Sequence, residues 1–440
     1  MAGIMIARYE CADVARIWSD AGKFGCFLQV ETALLRALET AGGFGVPAGA
    51  AALMQATVRI DLARIAELEL RTQHDVVAFC ESLAEQLPPA VARFVHFGAT
   101  SSDVIDTALA LQLRATLQIM LAELQAVLRQ LWALAAQSED VLCIGRSHGM
   151  YAEPMLLAQK WLSFYAELQR RAAEWQHYAQ HELTAQLSGA VGNYTVLPPR
   201  VEALLAAELG LAVEPVSTQI IPRDRLAKLV GINALYAGGL ERLATEIRLL
   251  QRSEVGEMAE GFGAGQRGSS TMPHKRNPVA SENLTGISRV LRSHVEIALQ
   301  NIVLWHERDI SHSAAERLYL PDNLGLVVYS LRRLQQLLAG LHIDRDAMRA
   351  RVAAAPGAHS SYYLHQLLQR TTASREELYA RIQALEFAAG PGAADLGAQL
   401  ELEFKVQLPR LGYAEMLAHY QKQYQAVKLR VQPPAAEQQK

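Results

Sequence analysis

The sequence predicts an all-α protein, an elongated bundle of long helices flanked by two smaller helical domains. Four stretches repeat apolar residues at alternating spacings of four and three, the pattern of a helix with a continuous packing seam. No segment shows the sustained alternation with β-branched enrichment that is typical of a strand. Because 440 residues with 50% hydrophobic content are too many for one small core, we divide the chain into residues 1–105, 106–345 and 346–440.

Composition excludes several classes of function. A net charge of −3 argues against generic binding to nucleic acid or to a membrane surface, so an anionic ligand must be met by local cations. Residues 1–20 lack the apolar segment of a signal peptide, and no apolar run reaches membrane-spanning length. The cysteines are widely spaced without a C-x-x-C pair, which argues against disulfides and zinc and indicates a reduced, cytoplasmic setting: Cys11, Cys26, Cys80 and Cys143.

The N-terminal domain reads as short helices and contains two candidate polar pairs. Arg8 and Tyr9 precede the first helical stretch, and taken alone they are surface residues. His74 and Asp75, after Gln73, open an apolar helix, where such a pair usually caps the helix and complements its dipole.

The segment Thr100-Ser101-Ser102-Asp103 stands at the start of the first long helix. Ser, Thr and Asp are preferred helix caps, so capping is the simplest interpretation. Capping is compatible with ligand binding, because a helix N-terminus with free amides and hydroxyls can hold a carboxylate or phosphate.

Four long helices form the predicted bundle of residues 106–345. Their seams are Leu113, Leu117, Met120, Leu124, Val127, Leu131 and Leu134; Trp161, Tyr165, Leu168, Ala172 and Trp175; Tyr236, Leu240, Leu243, Ile247 and Leu250; and Leu324, Val327, Leu331, Leu334, Leu338 and Leu341. Each seam needs a partner, so we expect a homo-oligomer that shares the bundle.

Three polar segments lie between these helices. His148 sits in a turn bounded by Gly149 and Pro154, beside Arg146, rather than on an apolar face. Gln219 follows a Ser-Thr pair and by itself indicates no function. The run at residues 305–317 mixes charge with tryptophan and histidine and contains Arg308, Ser313 and Arg317.

The segment at residues 268–278, GSSTMPHKRNP, is rich in glycine, serine and proline, and of the whole sequence it has the composition least typical of a packed core. Such composition is often a linker, but this one interleaves cations and prolines, which indicates a shaped loop for an anion. Residues 263–268 also match G-x-G-x-x-G, yet a helix precedes them and Pro273 follows, so we reject a dinucleotide site.

The segment at residues 268–278 resembles the G-S-S-x-M-P-x-K-x-N-P motif of the fumarase/aspartase superfamily, and Arg276 after Lys275 resembles its adenylosuccinate lyase family. Similar likenesses hold for the H-D-V, T-S-S-D, R-S-H-G, S-T-Q and W-x-E-R-D segments up to about residue 321, and fade beyond it. Gln73 departs from a common arginine, and Ser147 and Tyr151 depart from a threonine and a histidine.

The resemblance implies a lyase that cleaves adenylosuccinate to AMP and fumarate, and also the succinylated carboxamide ribotide of purine synthesis. It implies Ser269 as general base and His148 as general acid. The substrate contacts it implies are Arg8, Tyr9, Gln73, His74, Asp75, Thr100, Ser101, Gln219, Ser270, Lys275, Arg276, Asn277, Arg308, Ser313 and Arg317. It further implies a homotetramer with shared active sites and no metal or organic cofactor.

The chemistry of these groups fits an elimination. Ser269 would act as an alkoxide stabilised by loop amides and Lys275, with Asn277 helping to hold the aci-carboxylate. His148 could donate a proton to the leaving nitrogen near neutral pH. We expect the loop to close over substrate.

Other readings stay open. A related lyase or a muconate-type cycloisomerase of the same superfamily would use another substrate. A serine hydrolase using Ser269 or Ser270 would lack the G-x-S-x-G elbow. The packing seams of the long helices would alone be sufficient for a helical scaffold without catalytic activity.

Overall fold

The computed structural model describes residues 6–263, 265–266, 268–388, 395–410 and 412–432, except the side chain of residue 356. Its described helices are α1 (Ala12–Trp18), α2 (Asp20–Ala41), α3 (Ala50–Thr57), α4 (Leu62–Thr72), α5 (Asp75–Ala84), α6 (Pro89–Ala92), α7 (Ser101–Gln137), α8 (Leu157–His181), α9 (Pro199–Leu209), α10 (Asp224–Gln251), α11 (Val279–Gln300), α12 (Ser311–Ala339), α13 (Arg345–Ala353), α14 (Ser360–Leu368), α15 (Arg375–Ala388), α16 (Leu396–Phe404) and α17 (Tyr413–Lys428). The predicted all-α class is confirmed.

The predicted seams lie in four of the long helices, α7, α8, α10 and α12, except that Leu341 follows the end of α12. Nearly every seam residue is buried; the exceptions are Leu134 and Leu341, which are partly exposed. α12 continues through Pro321. Burial of apolar side chains along whole helices is the main stabilising contribution, at roughly 25 cal/mol per Å² of apolar surface.

A buried polar chain fixes the register of three of these helices. Trp175 Nε1 donates to Asn233 Oδ1 at 2.8 Å, and Asn233 Nδ2 donates to Asn323 Oδ1 at 2.7 Å. A shift of one helix along another would leave these polar groups buried without hydrogen-bond partners, which would lower the stability of the folded state.

Short strands also occur, which the sequence analysis did not predict. β1 (Leu142–Ser147) and β2 (Met150–Leu156) form an antiparallel hairpin with a bulge between Ile144 and Arg146. Two further pairs are two residues long: β3 (Thr184–Ala185) with β4 (Ala212–Val213), and β5 (Met258–Ala259) with β6 (His342–Ile343). The hairpin escaped prediction because β1 begins with buried residues on both faces and so shows no alternation.

The chain forms two compact units. Unit one comprises Met1–Val127, Leu168–Arg242 and Glu282–Gln335, and unit two comprises Leu128–Glu167, Leu243–Ser281 and Gln336–Lys440. Within unit one, the core around α2 and α5 centres on Phe24, Phe27 and Phe79. The three-domain division at residues 105 and 345 stays a prediction.

The C-terminal part carries a small apolar core of its own around Tyr363, Leu367 and Leu378. The divergent stretch from His359 onward forms α14, and Ser374 and Glu377 form a reciprocal cap at the start of α15. The predicted loop at residues 390–394 and all but the first residue of the predicted tail, 432–440, lie outside the described residues.

The expectation that no apolar run reaches membrane-spanning length was too strict. Among the described residues, α7 is long and apolar enough by length and composition to cross a membrane. Of its apolar window 61% is buried inside the protein, which is what a core helix shows.

Candidate active site

The Thr100–Asp103 segment caps the start of α7, as expected. The Asp103 side chain accepts the Thr100 amide through Oδ2 at 2.8 Å, and a main-chain bond joins the Asp103 amide to the Thr100 carbonyl at 3.0 Å. The same carboxylate also accepts the amides of Ser188 and Gly189, at 3.1 and 3.2 Å. Burial raises the pKa of Asp103 to about 6 although these three amides lower it. Asp103 therefore joins the cap to the loop at residues 188–189.

Beside this cap, His74 and Asp75 meet two cations. His74 Nε2 lies 3.3 Å from Ser101 Oγ. Asp75 Oδ2 lies 3.5 Å from Arg317 Nη2 and 3.9 Å from Lys23 Nζ. The structure thus brings together four residues from the sequence analysis and adds Lys23, which gave no motif and was missed.

A cavity of about 410 Å³ opens next to these groups in unit one. Its lining is rich in charged groups of both signs: the cations are Lys23, Arg223, Arg308 and Arg317, and the carboxylates are Asp20, Glu69, Asp75, Asp106 and Glu316. Four of the predicted substrate contacts therefore line one cavity: Asp75, Arg308, Ser313 and Arg317. Guanidinium groups are suited to bidentate recognition of phosphate or carboxylate.

Gln219 contacts Arg308 directly. Arg308 Nη1 donates to Gln219 Oε1 at 3.0 Å, and Gln219 Nε2 donates to the Ala190 carbonyl at 2.9 Å. The glutamine amide is therefore held in one orientation.

The loop at residues 268–278 in unit two is built around Ser269. Its Oγ accepts the backbone amides of Thr271, at 3.2 Å, and Met272, at 3.0 Å. Asn277 Nδ2 closes the loop by donating to the Gly268 carbonyl at 2.9 Å. Two amide donors on one hydroxyl oxygen stabilise its anionic form.

Gly268 is where the two arms of this loop touch. A Cβ there would lie 1.9 Å from the Lys275 carbonyl oxygen. We expect Gly268→Ala to force the arms apart and lower kcat/KM by roughly 100-fold, because misplacing a catalytic group by about 1 Å can cost that much. Steady-state kinetics with a thermal melt checks this. Gly286→Ala, on α11 with nothing within 4 Å of the new Cβ, is the control; equal activities of the two variants would contradict the expectation.

His148 lies at the tip of the hairpin, in a two-residue turn with Gly149. Both residues have positive φ, 54° and 78°, as a type I′ turn requires. The side chain is exposed and makes no hydrogen bond to another described residue. Behind it, Arg146 donates to both oxygens of the buried Glu257 carboxylate, at 3.0 Å to Oε2 and 2.5 Å to Oε1, and Tyr151 accepts from Arg351 at 3.2 Å. These contacts brace the hairpin.

The remaining predicted residues make separate contacts. Tyr9 packs edge-on against Tyr329 at 5.0 Å, and neither it nor Arg8 lines the cavity. Gln73 ends α4 at φ 51° with its amide bonded back to the Leu70 carbonyl. Ser270 contacts Thr271, Arg276 stacks on Phe262, and Lys275 is exposed.

Glu31, Cys80 and His96 are the described residues whose ligand atoms, all within 4.8 Å, could hold a metal ion. In this structure they bond to one another: His96 Nδ1 and its amide lie 2.7 and 2.8 Å from the Glu31 carboxylate. Burial raises the pKa of the Cys80 thiol, which keeps it protonated. Sequence reasoning missed this cluster because its members are far apart in the chain.

The His96–Glu31 pair predicts a pH dependence of stability. Burial lowers the pKa of His96, but the hydrogen bond and charge of Glu31 together with the charge of Asp103 raise it more, so the folded-state pKa lies above its ordinary value. The stabilisation is therefore present below about pH 6.5 and lost as pH rises through the folded-state pKa. We expect the free-energy difference between wild type and His96→Asn, measured by urea unfolding, to be larger at about pH 6 than at about pH 8.5. Asparagine tolerates the φ of 60° at this position; a difference that does not change with pH would contradict the pairing.

Comparison with known proteins identifies the family of the chain. A family model described as Lyase matches residues 13–292. The chain is 41% identical over 382 residues to an adenylosuccinate lyase of Aquifex aeolicus (strain VF5), covering 86% of this chain and 87% of that protein. An adenylosuccinate lyase of Thermotoga maritima is 39% identical over 380 residues with the same coverage. The 3-carboxy-cis,cis-muconate lactonizing enzyme from Pseudomonas putida superposes with a TM-score of 0.84 at 29% identity, covering 98% of each chain. The chain belongs to the adenylosuccinate lyase family, within the fumarase/aspartase superfamily of lyases.

Proposed function

We propose that this chain cleaves adenylosuccinate to AMP and fumarate, and cleaves the succinylated aminoimidazole carboxamide ribotide in the same way. The observation that carries the proposal is the Ser269 hydroxyl, whose oxygen accepts two backbone amides in a loop that also holds Lys275 and Asn277. That environment suits a serine that must become basic enough to remove a proton from carbon.

In the proposed reaction the Ser269 alkoxide removes a proton from the succinyl carbon next to a carboxylate. The electron pair passes into that carboxylate, which Lys275 and Asn277 stabilise as an aci-carboxylate. Its return forms the double bond of fumarate and breaks the C–N bond. His148 as imidazolium gives its proton to the departing nitrogen of AMP. None of these steps calls on a metal or an organic cofactor.

The cavity of unit one, with its four cationic side chains, would hold the nucleotide. Arg308, Ser313 and Arg317 would bind the phosphate, and His74 with Ser101 would orient it. Gln219 and Thr100 would contact the succinyl group or base. Arg8, Tyr9, Gln73, Asp75, Ser270 and Arg276 keep their predicted binding roles as proposals.

We also propose a cytoplasmic homotetramer with shared active sites. Large apolar side chains are exposed in unit one, including Val303 and Trp305, each 79% exposed, and Ile310 at 69%. A patch of this kind usually marks a protein interface. The exposed position of His148 at a hairpin tip also suits a site completed by a neighbouring copy.

An ultraviolet assay of the purified protein with adenylosuccinate, with separate detection of fumarate, tests the proposal. The panel should include other N-succinyl amines and 3-carboxy-cis,cis-muconate. The muconate is included because the lactonizing enzyme matches 98% of both chains, which makes a cycloisomerase the second candidate. We expect turnover of adenylosuccinate; no fumarate from it, with turnover of the muconate, would replace the first proposal by the second.

A further inference from the structure

A chain of contacts runs from the buried interior of unit one to the cavity, through Glu316, His312, Arg308 and Gln219. We propose that His312 is a positioning residue: its Nε2 holds the Arg308 guanidinium, and through it Gln219, in the orientation that receives an anionic substrate group, an inference that rests on the binding role proposed above for Arg308 and Gln219.

The contacts of His312 define its tautomer. The residue is 4% exposed and lies in the first turn of α12. Nε2 lies 3.4 Å from Arg308 Nε, and Nδ1 lies 3.2 Å from Glu316 Oε2. A guanidinium only donates, so Nε2 accepts from Arg308. At Nδ1 the Glu316 carboxylate, which only accepts, is the nearer neighbour at 3.2 Å, and Arg223 Nη2 lies at 3.5 Å, the limit of a hydrogen bond; we therefore assign the hydrogen to Nδ1. With this assignment hydrogen bonds are donated in one direction, from Arg308 to His312 and from His312 to Glu316.

Glu316 is itself fixed from behind. Arg223 donates to it from Nε at 3.1 Å, and donates to Asp106 from Nη1 and Nη2 at 2.6 and 2.9 Å. Burial lowers the pKa of Arg223, but the two carboxylates raise it more, so the guanidinium stays charged. Arg223 thus pairs with two carboxylates, Asp106 and Glu316, and all three groups are buried. Buried charges that are paired and hydrogen-bonded in this way form a rigid support.

Arg308 is the residue of this chain of contacts that faces the cavity. Its Nε is committed to His312 and its Nη1 to Gln219, whereas within the described part of the chain no protein group bonds its Nη2. The arrangement presents one guanidinium edge to an anion and fixes the other two nitrogens. Without the His312 acceptor, the Arg308 side chain could rotate, and Gln219 would lose a fixed partner.

Two substitutions separate this role from a purely structural one. Glutamine at position 312 places Oε1 where Nε2 was and can still accept from Arg308, but it cannot reproduce the Nδ1 donor to Glu316. Asparagine is shorter: it can donate from the Nδ1 position to Glu316 but offers no acceptor to Arg308. We expect His312→Asn to raise KM for adenylosuccinate about tenfold with kcat within roughly threefold of wild type, and His312→Gln to retain a KM close to wild type.

If the role of His312 is purely structural, KM should rise more in His312→Gln than in His312→Asn, or it should rise equally in both variants in step with a lower melting temperature. Either result overturns the proposal. His294→Asn is the matched control. His294 is a partly buried histidine on α11 that contacts Asn323 and lies outside the cavity wall, so its loss is expected to leave KM unchanged.

Binding of inorganic phosphate, measured by titration calorimetry on the full chain, separates this proposal from the proposed function. If wild type does not cleave adenylosuccinate but phosphate affinity falls in His312→Asn and not in His312→Gln, the function is wrong and the positioning role stands. If wild type cleaves adenylosuccinate and both variants keep wild-type KM and phosphate affinity, the function stands and the positioning role is wrong. Absence of phosphate binding by wild type also overturns the positioning role.

Discussion

Removing the Ser269 hydroxyl is expected to lower kcat by about 10⁴-fold, the upper end of what a general base contributes. The Ser269→Ala variant would leave no group in the turn that can take the carbon-bound proton, because the two amides facing the oxygen only donate. Those amides lie in an exposed loop and can bond to water. The melting temperature should therefore change little, and so should KM, since the base acts mainly in the transition state.

Steady-state kinetics with adenylosuccinate and a thermal melt measure this. Ser293→Ala is the control, because Ser293 is an exposed helix serine whose hydroxyl bonds, within the described residues, only to the Val290 carbonyl of its own helix. Activity of Ser269→Ala within tenfold of the control would exclude Ser269 as the base. Exchange of the substrate's succinyl proton with deuterated water, present in wild type and absent in the variant, would locate the defect at proton removal.

Replacing His148 by asparagine is expected to lower kcat by roughly 10²- to 10³-fold without loss of stability. Asparagine accepts the positive φ of 54° at the first position of the hairpin turn, so the backbone should keep its shape while the proton donor is lost. His148→Ala removes the same donor but strains the turn. It should therefore cost about 1 kcal/mol of stability in addition, because alanine disfavours left-handed backbone.

The comparison of the two variants is the test. Equal loss of kcat with different melting temperatures supports a chemical role for the imidazole. If His148→Asn retains wild-type kcat while His148→Ala loses it, the turn and not the imidazole matters, and His148 is not the acid. A substrate analogue with a better leaving group should recover activity in His148→Asn, since such a group needs less help from a proton donor.

Much of the architecture follows from patterns that repeat within a few residues. The seams of α7, α8, α10 and α12 were predicted because residues three and four apart share one face of a helix. The caps at Thr100 and Ser374 were predictable for the same reason, since donor and acceptor are three positions apart. The β1–β2 hairpin was missed because its strands carry no alternation, although His148-Gly149 could have been read as a type I′ turn.

The sequence by itself determined the helical class, the positions of the motifs and, through their resemblance, the family. Only the tertiary structure decided which charged residues face one another. Asp106 and Arg223 are 117 positions apart and Gln219 and Arg308 are 89 apart, and nothing local at either end marks the partner. Such pairs form because packed helices bury them together, and burial then requires each donor to find an acceptor.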